Sequence, residues 1–146
     1  MDNKNIYIEF TKKDNDKRIV EGFASTEALD SQGEIVRVDA VEKALPDYMK
    51  FANIREMHQM SAVGKTIRAS IDKAKKGLHI VGKIVDNDAW LKVKEGVYNG
   101  FSIGGRVLKR VDNVIEELAL KEISLVDRPA NPDAVYSMVK IGDVME

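Results

Sequence analysis

The chain has 146 residues, 44% hydrophobic and 32% charged, which is the balance expected of one soluble globular domain. With 23 Lys and Arg against 24 Asp and Glu, the net charge of −1 does not favour nucleic acid or an anionic membrane as a partner. The absence of cysteine excludes disulfides, thiol catalysis and cysteine-ligated zinc, and with only two histidines we expect no metal and no cofactor.

The first third of the chain predicts a hairpin, an ordered loop and a helix. Alternating apolar and polar residues predict strands over 5–13 and 17–25, joined by the turn-forming "DNDK". A loop rich in Asp, Ser and Gly follows. Residues 38–51 then predict a short helix, capped by Asp39 and kinked or shortened at Pro46.

The middle of the chain predicts short strands and a second helix. The strands are divided by glycines or charged turns and cover 53–59, 62–72 and 77–86. The segment 87–100 reads as a helix with Asn87 or Asp88 near its cap. Val97 falls on the apolar face of this predicted helix.

The last third predicts two long strands, over 101–112 and 114–127, around a "DN" turn. A proline-pinned loop follows at 128–135. Together these elements predict one α+β domain over residues 1–146, dominated by antiparallel strands. The number of strands is sufficient to close a β-barrel with two or three flanking helices.

Three polar residues lie beside apolar strand segments and supply the residue types of a serine hydrolase. A serine hydroxyl such as Ser102 needs a base within hydrogen-bond reach, and an imidazole such as His58 benefits from a third group that fixes its tautomer. Glu122 is the candidate third group, and strand alternation puts it on one face with Ser124. The glycine pair that follows Ser102, at 104–105, would let backbone N–H groups approach an oxyanion.

Each of these residues also has a purely structural interpretation. Two glycines in a strand usually mark a bulge or close packing. His79 alternates with apolar neighbours and is expected to point away from the core, which is an ordinary role for a histidine. Glu122 could be a solvated strand carboxylate like Glu116 or Glu117. From residue types and spacing alone, serine hydrolysis is one hypothesis among several.

The order of four segments, however, resembles a known family. "EMHQMSAVGKTI", "KKGLHIVGKIV", "GVYNGFSIGGRV" and "LKEISLVDRPANPDAV" are similar to the prohead, or capsid maturation, proteases of tailed bacteriophages. That family shares its fold with the herpesvirus assemblins. The resemblance runs from about Glu21 to about Val139, and it implies a single prohead-protease-like domain with an assemblin-like fold.

The resemblance also implies catalytic roles. His58 becomes the general base and Ser102 the nucleophile. Glu122 matches the position of the third member, which is a second histidine in the assemblins, and Asp30 in the ordered loop is the alternative.

For the oxyanion hole, Arg128 is placed somewhat like the arginine-bearing loop of the assemblins, and Arg106, which follows the glycine pair, is the other candidate. A surface ion pair within its proline-fixed turn is the competing interpretation of Arg128.

The implied substrates are the scaffolding segment of the major capsid protein and the protease itself, inside a procapsid assembling in the bacterial host cytoplasm. Nucleic acid and membranes are not expected as partners. A homodimer through the helix at 87–100, with Trp90 and Tyr98, is one option, and burial of both side chains in the core is the other. A catalytically inactive assembly or scaffolding module on the same fold, and an unrelated β-barrel binding domain, are the alternative functions.

Overall fold

The computed structural model describes residues 7–10, 12–14, 17–30 and 33–127. Within these residues the chain forms nine strands and two helices. They are β1 Tyr7–Glu9, β2 Lys12–Asp14, β3 Ile19–Thr26, β4 Ile35–Val36, α1 Val38–Met49, β5 Asn53–Glu56, β6 Ala62–Asp72, β7 Gly77–Ile84, α2 Asn87–Lys94, β8 Gly100–Val111 and β9 Val114–Val126. Neither helix of this described part is long and apolar enough to cross a membrane.

All nine strands belong to one curled sheet. Their order is β1-β8-β9-β5-β6-β7-β3-β2, and β4 pairs with β9 beside this path. β3, near one end of this order, packs against β1 and β8 at the other end, which shows that the sheet is curled. Most pairs are antiparallel, as predicted, but β4 and β5 run parallel to β9. The result is a half-barrel with two helices, which agrees with an α+β domain.

The core fills the concave side of this sheet. In β7, Leu78, Ile80 and Ile84 are fully buried, as expected for alternating strand positions that face inward. Helix α1 covers the core and packs against β9 through an apolar stripe that includes Val41 and Ala44. Each fully buried aliphatic side chain contributes about 1.5–3 kcal/mol to folding, so this core is what holds the strands in register.

Helix α1 differs from its prediction at the N-cap. Its N-cap is Arg37, whose side chain makes no capping bond, and Asp39 lies in the first turn instead. The predicted cap is therefore wrong. A carboxylate from outside the helix caps it instead: Glu27 Oε2 accepts the N–H of Val38 at 2.8 Å. Pro46 lies inside the helix, which ends at Met49 and is therefore shorter than the predicted 38–51.

Helix α2 is shorter than predicted. Its N-cap is Asp86, whose carboxylate accepts a backbone N–H of the first turn at 2.9 Å. The predicted caps, Asn87 or Asp88, are therefore wrong. Gly96 follows the helix with φ +75°, the left-handed conformation that commonly ends a helix. Val97 consequently lies outside the helix and is 48% exposed, not on its apolar face.

The amino-terminal hairpin is confirmed only in part. β2 pairs with β3 as predicted, with Lys13 opposite Val20. β1 instead pairs antiparallel with β8, and Tyr7 lies opposite Ser102. The predicted strand over 5–13 is therefore divided between the two ends of the sheet, and its first part flanks the candidate nucleophile.

Candidate active site

The structure brings His58, Ser102 and Glu122 into one hydrogen-bonded chain. His58 Nε2 lies 3.0 Å from Ser102 Oγ, and His58 Nδ1 lies 2.6 Å from Glu122 Oε2. The side chains of His58 and Glu122 are only 5% and 2% exposed, and Ser102 is 2% exposed. His58 is 44 positions from Ser102 and 64 positions from Glu122 in the sequence, so tertiary structure alone brings the three together.

The sheet order explains why they meet. β8, β9 and β5 are consecutive strands. In the β8–β9 pair, Ser102 lies opposite Ser124 and Gly104 opposite Glu122. Because side chains alternate between the faces of a strand, Glu122 and Ser124 share one face, as predicted. β5 runs parallel to β9 and delivers the turn that follows it, with His58, to that same face.

His58 lies in a tight turn, whereas the strand was predicted to continue to residue 59. β5 ends at Glu56, and both Met57 and His58 adopt left-handed backbone conformations, with φ of 52° and 58°. Such a conformation costs a non-glycine residue about 1–2 kcal/mol. Hydrogen bonds hold the turn: the N–H of Met57 donates to the Leu125 carbonyl at 2.9 Å, and that of Gln59 to the Glu56 carbonyl at 3.0 Å. The strained turn sends the imidazole towards β8.

A fourth polar residue, Ser124, completes the cluster and had no role assigned from sequence. It is fully buried. Its hydroxyl donates to Glu122 Oε1 at 2.6 Å and accepts the backbone N–H of His58 at 3.1 Å. The predicted shared face of Glu122 and Ser124 was the signal that could have identified it.

The glycine pair after Ser102 has a structural role. The register of β8 against β9 shifts between Gly104 and Gly105, which confirms the bulge interpretation. A Cβ on Gly104 would overlap the carboxylate of Glu122, and one on Gly105 would overlap the carbonyl of Ala119. Gly104 therefore leaves the space that the buried carboxylate occupies.

This geometry determines the proton positions that suit catalysis. A carboxylate only accepts hydrogen bonds, so Nδ1 of His58 carries the proton shared with Glu122. Nε2 is then the acceptor for the Ser102 hydroxyl. The arrangement can remove a proton from a serine hydroxyl and stabilise the resulting imidazolium, as a serine hydrolase requires.

Two buried tyrosines interact with Glu122 or with the residue before the His58 turn. Burial raises the pKa of Tyr48 well above its ordinary value, a hydrogen bond with Thr66 opposes the shift, and the charge of Glu122 adds to it. Tyr48 thus stays neutral, with its hydroxyl bonded to Thr66 and to the Asn53 carbonyl. The Tyr98 hydroxyl donates to Glu56 at 2.7 Å, which ties the residue before the turn to the segment that enters β8.

The dimer option placed Trp90 and Tyr98 on a partner-facing surface. Each is only 5% exposed and belongs to the chain's own core. The core interpretation therefore describes these two side chains. The apolar side chain that α2 does expose is Leu91, at 53%.

The remaining predicted residues lie elsewhere. Asp30 Oδ1 accepts the backbone N–H of Glu34 at 3.0 Å, so the Asp30 carboxylate stabilises its own loop. The carboxylate that contacts His58 Nδ1 belongs to Glu122. Arg128 lies outside the described residues. His79 is partly exposed at the surface, with Nε2 3.4 Å from Glu21, as its alternation predicted.

Comparison with known proteins is consistent with this geometry. Residues 7–111 match the family model described as "Putative phage serine protease XkdF". The chain is 30% identical over 133 residues to the "Prohead protease" of Escherichia phage T5, covering 83% of this chain and 62% of that protein. It is 26% identical over 147 residues to the "Capsid polyprotein" of Pseudomonas phage PAJU2, covering 91% of this chain and 22% of that protein. The chain thus spans less than two thirds of either relative. No solved structure matches it.

Proposed function

This chain belongs to the family of phage prohead serine proteases, and from that premise we propose that it is a serine endopeptidase of phage capsid maturation. The observation that carries the proposal is the hydrogen-bonded chain from Glu122 through His58 to Ser102. Family membership alone would equally suit a domain that has kept the fold and lost the chemistry. A buried base held against a serine hydroxyl favours the active enzyme.

The proposed mechanism assigns one role to each residue. Nε2 of His58 takes the Ser102 proton as Oγ attacks the carbonyl carbon of a peptide bond. Glu122 keeps the imidazole oriented and stabilises its positive charge. His58 then protonates the leaving amine, which breaks the C–N bond and leaves an acyl-enzyme. Water, deprotonated by the same imidazole, hydrolyses that ester and restores the serine.

The oxyanion donors belong to the proposal as well. Backbone N–H groups beside the bulge at Gly104, together with Arg128, would hold the negative oxygen of the tetrahedral intermediate. The bulge supports the first part, because it interrupts the regular ladder next to the nucleophile. An arginine that follows β9 would be carried by the strand that also bears Glu122.

The proposed substrates are the scaffolding segment of the major capsid protein and the protease itself, cleaved inside a procapsid in the bacterial cytoplasm. The names of the two relatives, a prohead protease and a capsid polyprotein, support a capsid substrate. An assemblin-like fold is part of the same proposal, supported by the mainly antiparallel, curled sheet. So is a homodimer, for which the exposed Leu91 of α2 is available.

Co-expression with the cognate capsid protein tests the proposal. We expect the wild-type chain to produce new capsid-protein termini by mass spectrometry and Ser102→Ala to produce none. Ser102→Ala should remain folded, because it loses one hydrogen bond worth about 1 kcal/mol. Circular dichroism checks the fold. Equal cleavage by a folded Ser102→Ala variant would falsify the nucleophile assignment, whereas absence of cleavage by the wild type would favour the inactive assembly module.

A further inference from the structure

We propose that Ser124 is a positioning residue that holds both the Glu122 carboxylate and the His58 turn in their working arrangement. The inference rests on the proposed function and extends it to a residue outside the His58, Ser102 and Glu122 set. Ser124 is fully buried, and its hydroxyl bonds to two members of that set.

The first role of Ser124 concerns the carboxylate. Glu122 has two oxygens with separate partners, Oε2 at His58 and Oε1 at Ser124. A carboxylate bonded through one oxygen alone can rotate about its terminal bond, which is a soft torsion. With both oxygens engaged, the orientation that aims Oε2 at Nδ1 is the one retained. The residue is 1% exposed, so the serine hydroxyl also replaces water that the carboxylate has lost on burial.

The second role of Ser124 concerns the backbone of the turn. The N–H of His58 belongs to a residue with φ of 58° and donates to Ser124 Oγ. Without that acceptor, the part-buried amide would lose its hydrogen-bond partner, which destabilises the turn. Ser124 therefore helps to stabilise the left-handed turn that sends the imidazole towards Ser102.

One hydroxyl can serve both roles, because it carries one donor and two acceptor positions. Its O–H goes to Glu122, and a lone pair receives the His58 amide. The bonds close a ring through the His58 backbone, Ser124, the carboxylate and the imidazole. Since Ser124 acts through His58 and Glu122, its loss should slow the chemical step and leave reagent binding unchanged.

A fluorophosphonate probe measures that step without knowledge of the natural substrate. Ser102 Oγ forms a bond to phosphorus, fluoride leaves, and His58 takes the hydroxyl proton. We expect Ser124→Ala to lower the limiting labelling rate by about 10- to 100-fold, since misplacing a reactive group by about 1 Å costs up to about 100-fold. The probe concentration that gives half the limiting rate should not change. Ser25→Ala is the matched control: Ser25 is a buried β3 serine, 2% exposed, whose Oγ has no hydrogen-bond partner in the described part of the chain.

A double-mutant cycle distinguishes positioning from general destabilisation. Because Ser124 acts partly through Glu122 and partly through the turn, Ser124→Ala should slow labelling at least threefold less in a Glu122→Gln background than in the wild type. A purely structural effect would multiply the two losses instead. The proposal is overturned if the double variant shows the full product of the two single losses. It is also overturned if a folded Ser124→Ala protein labels within twofold of the wild type.

Amide hydrogen exchange tests the contact independently of activity. We expect the His58 N–H to exchange at least tenfold faster in Ser124→Ala than in the wild type or Ser25→Ala. Equal exchange would refute the role in the turn. If the wild type does not label but His58 exchange still depends on Ser124, the proposed function has failed and the contact stands. If the wild type labels and Ser124→Ala behaves like it, only the role of Ser124 has failed.

Discussion

The two ends of the β8–β9 hairpin share strands but differ in environment. The hairpin base, Gly100–Gly105 with Glu122–Val126, is buried at every position. The hairpin tip, Arg106–Val111 with Val114–Glu117, is exposed at half of its positions and buried only at Ile115. The candidate site occupies the base alone.

Neighbouring strands explain the difference. At the base, β9 lies between β8 and β5, and β1 pairs with β8 as far as Ser102. At the tip, β4 pairs with β9 at Val114 and Ile115, and the large apolar Leu108 of β8 is 54% exposed. A polar side chain at the base must therefore find protein partners, whereas one at the tip can use water.

Three glutamates on β9 show what this difference teaches. Glu117 is exposed and Glu116 half-buried at the tip, while Glu122 is buried with a partner on each oxygen. The residue type is the same in all three. Position along one strand separates a solvated carboxylate from one that orients an imidazole.

Among substitutions in β9, the largest expected effect comes from removing the charge at the base. Glu122→Gln should keep the shape but allow the wrong imidazole tautomer, lowering the labelling rate of Ser102 by about 10⁴-fold. Glu117→Gln at the tip should leave the rate within twofold of the wild type. Stopped-flow or quenched labelling of both variants measures the contrast. Similar rates in the two variants would mean that burial does not distinguish these carboxylates functionally, and a severe loss in Asp30→Asn would return the role to Asp30.

A smaller loss is expected from filling the space at the bulge. Gly104→Ala places a methyl group where the Glu122 carboxylate lies, and a displacement of about 1 Å costs on the order of 100-fold in rate. Gly33→Ala is the control, because Gly33 has φ +76° and open space around its Cβ position. Gly33→Ala should lower the free energy of unfolding by about 1 kcal/mol, as measured by urea denaturation, and leave the activity unchanged. Normal labelling by a folded Gly104→Ala protein would contradict the fit between glycine and carboxylate.

Matched substitutions separate the two histidines. A glutamine in place of His58 cannot take up the Ser102 proton that His58 Nε2 is placed to accept, so His58→Gln should abolish labelling of Ser102. His79→Gln should label within twofold of the wild type, since His79 contacts surface Glu21. Labelling rates of the two folded variants measure the contrast. A folded His58→Gln protein that still labels argues against a histidine base.

The smallest effect is expected at the turn of the tip. Asp112 has φ 54°, a conformation that glycine adopts without strain. Asp112→Gly should raise the unfolding free energy by about 0.5 kcal/mol or leave it unchanged, with labelling of Ser102 as fast as in the wild type. Urea unfolding and labelling check the two halves of the statement. Slower labelling would show that the tip and base are coupled through the hairpin.

Local patterns in the sequence were sufficient for most elements. Alternation predicted β6, β7, β8 and β9 close to their observed bounds, because strand period and turn residues are properties of neighbouring positions. The same patterns failed at caps and ends. Helix α1 is capped by Glu27 and packs against β9, and both lie outside the helical segment. The residue types within that segment, such as Asp39, therefore could not predict these contacts.

The sequence by itself determined which residue types were available: one serine before a glycine pair, two histidines and an acidic residue in an apolar strand. The order of its motifs determined the family. The resemblance carried by that order also pointed to His58 as the partner of Ser102. Only the tertiary structure showed that the two side chains meet, that Ser124 bonds to Glu122, and that Gly104 makes room for the carboxylate. The physical reason is distance along the chain. Periodicity describes residues a few positions apart, whereas contacts across 44 and 64 positions depend on which strands the sheet places side by side.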